Sequence, residues 1–143
     1  MQKILSSLFI ITACLVMQTP LHAKHKLNLQ PENLWMVYAP IQCFGNPWEK
    51  EWLKTTKKSE TKFPRMHEPR LFWTYYQQQG LTLARMRTKL GRQACNTCDC
   101  ERGDLYLVYL PFPQQQDATA LGFRKATQMD ISDSVAVPSY DLH

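Results

Sequence analysis

Cys95-Asn96-Thr97-Cys98-Asp99-Cys100-Glu101-Arg102-Gly103-Asp104-Leu105-Tyr106-Leu107-Val108-Tyr109-Leu110 decides the fold, because it sets three thiols just ahead of a run that is apolar on both parities. A strand without a polar face must be covered on both sides, so Leu105 to Leu110 belongs inside a sheet, and Pro111 to Pro113 end it. Upstream, Leu34-Trp35-Met36-Val37-Tyr38-Ala39 has the same two-sided character and stops at Pro40. It reads as a second, central covered strand. If the two strands align, Cys43, just beyond the first, meets the loop that carries Cys95, Cys98 and Cys100 at one end of the sheet.

Two helices are expected between these strands. Gly45-Asn46-Pro47 is turn chemistry, with Asn46 as N-cap, Pro47 as first helical residue and Glu49 closing a capping box. That helix is predicted to run to Lys58, with Trp48, Trp52 and Leu53 as a narrow apolar stripe and the Lys50, Lys54, Lys57, Lys58 and Lys62 series, interleaved with Glu49, Glu51 and Glu60, as a solvated face. Pro69 opens a second helix, closed by Gly80, in which Phe72, Tyr75, Tyr76 and Gln79 line one side as core. Leu81 to Thr88 reads as an edge strand that turns basic through Arg85, Arg87 and Lys89. Those charges fit either protection of an edge or an anion-binding surface. Gln114 to Ala120 is a short helix, and Arg124 to His143 is polar and aperiodic, as in a mobile tail. The order strand-helix-helix-strand-strand-helix predicts an α+β domain over residues 34–123, with about three strands and helices on one face, preceded by a linker over 24–33.

The chain has 143 residues, and its first 23 have the form of a secretory signal: Lys3 for charge, Ile4 to Met17 as the apolar run, a break at Pro20 and Leu21-His22-Ala23 before the cut. The 120 residues that remain are one domain's worth. No apolar stretch reaches the roughly 20 residues a bilayer core requires, so no transmembrane span is expected in the mature chain. Ile11-Thr12-Ala13-Cys14 resembles a bacterial lipobox and allows a rival reading, a lipoprotein anchored at Cys14. The formal charge of +5 is mild, and with export it argues against nucleic acid as a partner.

Removal of Cys14 leaves four of the five cysteines, and an even number in an exported chain points to disulfides. Of the three possible pairings, the one joining Cys98 to Cys100 across a single residue is cramped. The other two tie Cys43 to Cys98 or to Cys100. A soft-metal site for zinc or cuprous copper is the alternative: Cys95-x-x-Cys98 places two sulfurs on one ion, and Cys43 with Cys100 completes a tetrahedral shell. Disulfide exchange is the third option, though no helix N-terminus follows the first cysteine to activate it. Catalytic spacing is missing. His25, His67 and His143 lack metal-site spacing, and there is no nucleophile elbow or phosphate loop. Glu49, Glu51 and Glu68 could serve a hydrolase beside the basic strand, but they read as helix-surface charge.

The Cys95-x-x-Cys98-x-Cys100-x-x-Gly103-Asp104 loop running into Leu105-Tyr106-Leu107-Val108, with Ile41-Gln42-Cys43 after the first strand, resembles a group of small uncharacterised exported bacterial proteins. The resemblance, over about Leu34 to Phe123, implies a shared α+β module and cysteine arrangement and carries no reaction. The expected function is an exported, non-enzymatic binding or interaction domain stabilised by disulfides, with no cofactor and with a protein or other envelope component as partner. The alternative is a periplasmic zinc- or copper-binding protein using Cys43, Cys95, Cys98 and Cys100.

Overall fold

A computed structural model describes residues 33–91, 96–139 and 142. The expected signal segment, Cys14, His25, Cys95 and His143 lie outside them. Five strands form one antiparallel sheet: β1 (Asn33–Tyr38), β2 (Arg85–Lys89), β3 (Leu105–Pro111), β4 (Arg124–Lys125) and β5 (Val135–Ala136), in the order β4-β1-β3-β2-β5. The helices are α1 (Pro47–Thr56), α2 (Glu68–Gln78), α3 (Gln115–Ala120) and the one-turn α4 (Gln128–Ile131). Through β4 this is a β-α-β-β-α-β arrangement, with α1 and α2 filling the first helical slot and α3 the second.

The expectation of three strands is corrected to five. Both additions come from the polar segment after Gly122, and each has only two exposed residues, too short to show a period. Backbone pairing holds them instead: β4 pairs with β1 at Met36 and Val37, and β5 pairs with β2 at Arg87 and Thr88. β2 is therefore covered by β5 over part of its length and is not the sheet edge. It also begins at Arg85 rather than Leu81, because Leu81 and Leu83 are buried in the loop that leaves α2.

Register assigns the two faces. Met36, Val108 and Met86 pair across three strands, as do Tyr38, Tyr106 and Thr88, and this face carries the aromatic core of Trp48, Phe72, Tyr76 and Phe123. The inward reading of Phe72 and Tyr76 holds. Trp73 joins them, while Gln79 is exposed. Val37, Leu107 and Arg87 pair on the opposite face, where Val37 and Leu107 are buried. The chain between β4 and β5 crosses this face, with α4 against β3, and so gives the two central strands the second cover their sequences require.

Candidate functional site

The disulfide end of the sheet is the most organised polar region. Ile41 bridges Glu101, Gln42 N donates to Cys100 O at 3.0 Å, and Arg102 N donates to Pro40 O at 2.7 Å. These bonds extend the β1–β3 pairing past the strand ends, and Cys43 closes on Cys98 with their Cα atoms 5.0 Å apart. The distant cysteine thus joins its loop as expected, and of the two open pairings the structure takes the one with Cys98. The disulfide also removes two sulfurs from the four-thiolate shell. Among the described residues no group of His, Cys, Asp or Glu is placed to hold a metal ion.

Cys43 and Phe44 both sit in the left-handed region, at φ 56° and 54°, an uncommon conformation for two successive residues with side chains. The disulfide fixes one side of this turn. Asn46 fixes the other: its Nδ2 donates to Ile41 O at 2.8 Å, and its Oδ1 accepts from Ile41 N at 2.9 Å.

Below the turn the N-termini of α1 and α2 converge, and each brings a buried glutamate in its first turn, Glu49 and Glu68. Both were expected on helix surfaces. They are inside because unsatisfied N–H groups and helix dipoles at that point favour negative charge, and because every carboxylate oxygen has a donor. Glu49 Oε2 accepts from Asn46 N at 3.1 Å and Asn46 Nδ2 at 2.8 Å, the expected capping box turned inward. Glu49 Oε1 accepts from Arg65 Nη1 at 2.7 Å, with Arg102 Nη1 at 3.5 Å. Glu68 Oε1 accepts from Trp48 Nε1 at 3.1 Å and Arg102 Nη1 at 3.0 Å, and its Oε2 from Arg65 Nη1 at 3.2 Å.

The two arginines are held in different ways. Arg65 lies over the rings of Phe44 and Phe63, 4.7 and 4.9 Å from their centroids. Arg102 forks onto Asp104, with Nε to Oδ1 at 2.8 Å and Nη2 to Oδ2 at 2.7 Å, across Gly103 at φ 97°. Burial alone would lower the Arg102 pKa, but its hydrogen bonds to Asp104 and the charge of Glu68 raise it above the ordinary value. Burial, then the Glu68 charge, pushes the Tyr106 hydroxyl up, while Arg102 works in the opposite direction. Sequence reasoning did not place Arg102 in a site. The available signal was Trp48, Glu49 and Glu68 at two helix starts, which as a set suit a shared polar interior.

A groove of about 490 Å³ opens over this network, with Glu68, Arg102, Asp104 and Tyr106 lining it. Met66 and Leu90 also line it, and at 92% and 89% exposure they are the two most exposed large apolar side chains among the described residues.

The basic strand has a different setting. Arg87 Nε donates to Ser134 Oγ at 2.6 Å and its Nη2 to Ser134 O, while Lys89 Nζ donates to Met129 O. These two candidate anion ligands therefore bind the segment that crosses the sheet. Arg85 instead rests over the Tyr109 ring, 5.7 Å from its centroid. Comparison with family models, with curated proteins and with solved structures finds no match. Among the described residues no helix is long and apolar enough to cross a membrane.

Proposed function

We propose that the chain is an exported, non-enzymatic interaction domain, closed by disulfides, that contacts a protein or another envelope component through the groove at its disulfide end. The observation that carries this reading is the position of Met66 and Leu90, which stand exposed at one groove above a polar network whose members already satisfy one another. Exposed apolar side chains grouped at a concave site mark contact surfaces more often than scattered ones do. A floor of carboxylates with every oxygen engaged supports a rigid platform in preference to acid–base chemistry. The Cys43–Cys98 bond fits an oxidising compartment, and we pair Cys95 with Cys100 to complete the set.

A photo-reactive side chain placed at Leu90 should give a discrete adduct in an envelope extract, and the same group at exposed Gln116 should not. Met66→Ser, with the cross-linker kept at Leu90, should weaken the adduct without altering thermal stability. Equal labelling at Leu90 and Gln116 overturns the reading.

A further inference from the structure

We infer that the domain carries a second, separate seat, a cavity between β2, β5 and Trp35 that takes a small apolar carboxylate. It is independent of the groove described above. The cavity measures about 280 Å³, and its apolar wall includes Trp35, Met86, Val137 and Leu142. At about 30 Å³ for each water-sized group, that admits on the order of nine heavy atoms.

Charge decides the class of ligand. Arg85 and Arg87 both line the cavity, and among the described residues no Asp or Glu does. Arg87 is engaged by Ser134, but the Arg85 side chain is exposed and, among the described residues, makes no ion pair or hydrogen bond, its guanidinium lying over the face of Tyr109. A guanidinium without a carboxylate, at the mouth of an apolar cavity, matches a ligand with a hydrocarbon body and one anionic end. A cationic ligand meets two like charges there, and a neutral one leaves Arg85 unused.

The test holds the hydrocarbon body constant and varies the charge. Octanoate, octanol and octylamine are titrated into the mature chain, with amide and indole N–H shifts followed by NMR. Octanoate should bind about tenfold tighter than octanol, and octylamine weakest, with shifts centred on Trp35, Met86 and Val137. Arg85→Gln should remove the preference for octanoate and leave octanol affinity unchanged, since Arg85 is exposed and its replacement does not disturb the core. Val137→Phe, which fills the cavity, should weaken both. Equal affinity for octanoate and octanol, shifts mapping elsewhere, or no binding by any of the three overturns the inference, while leaving the groove reading to its own cross-linking test.

Discussion

Replacing Cys43 and Cys98 together by serine removes one covalent closure and leaves the surrounding hydrogen bonds intact. The double replacement is the cleaner perturbation, because a single one strands a thiol that can exchange with Cys95 or Cys100. The bond joins residues 55 apart in sequence, so reopening it returns to the unfolded chain the entropy of a long loop, about 4 kcal/mol at 25 °C in the chain-entropy model. Native geometry should survive, since Ile41 still bridges Glu101 and Arg102 N still reaches Pro40 O. The left-handed pair at Cys43 and Phe44 then rests on the Asn46 bonds and on the packing of Phe44 against Arg65 and Phe63. For a domain of this size the loss corresponds to a fall in Tm of about 15 °C or more. Thermal and urea unfolding of the double variant against the wild type, both without reductant, measure it. Reductant on the wild type is a poorer comparison, because it does not act on Cys43–Cys98 selectively. A Tm within about 2 °C of wild type refutes the view that this bond clamps the site.

Arg102→Ala should cost about 3–5 kcal/mol, the range for breaking a buried ion pair, because among the described residues it withdraws one of two arginines from Glu49 and Glu68 and the only one from Asp104; denaturant unfolding checks it. Arg65→Ala should cost less, since Arg65 is nearly half exposed, so equal losses in the two variants contradict the geometry. Asp130 accepts from Arg124 at 2.7 and 2.9 Å and from Thr127 N at 2.7 Å, and these bonds, Arg124 first, hold its pKa well below the ordinary carboxylate value despite partial burial. A folded-state pKa below the unfolded one contributes stability above about pH 4 that is lost as pH falls toward the folded value. Asp130→Asn should therefore lower neutral-pH stability by about 1–3 kcal/mol and flatten the acid limb of an unfolding-versus-pH curve. If the chain is exported as proposed, intact mass of the protein recovered from the expressing cell should show a chain beginning at Lys24 with no free thiol. A diacylglyceryl adduct on Cys14 would instead make it a lipoprotein.

The elements legible in the sequence are those whose side chains choose a face. β1 and β3 announce themselves because neither parity is polar, and α1 begins where Asn46, Pro47 and Glu49 say it does. β4 and β5 are invisible for the opposite reason. Two-residue strands with exposed side chains are set by main-chain bonds to a neighbour, and main-chain bonds leave no mark on composition. The cysteine convergence was legible because it follows from the pairing of β1 with β3. The glutamate–arginine network was not, since burial of Glu49 and Glu68 depends on two helix N-termini meeting in space, and spacing along either helix alone gives each carboxylate an ordinary surface role.

The same distinction explains why the formal charge of +5 is a poor guide to partners. Arg65 and Arg102 neutralise buried glutamates, Arg124 holds Asp130, and Arg87 with Lys89 holds the carbonyls of the crossing segment. Except for Arg124, six residues from Asp130, these cations tie elements remote in sequence: helix start to loop, or sheet face to strap. Among the described residues, the cations left to solvent are therefore the exposed lysines of α1 and its following loop, Arg70, Arg85 and Lys125. Arg85 sits at an apolar cavity whose described lining holds no carboxylate, so selective anion recognition is expected there and salt-sensitive, nonspecific attraction along the α1 lysines.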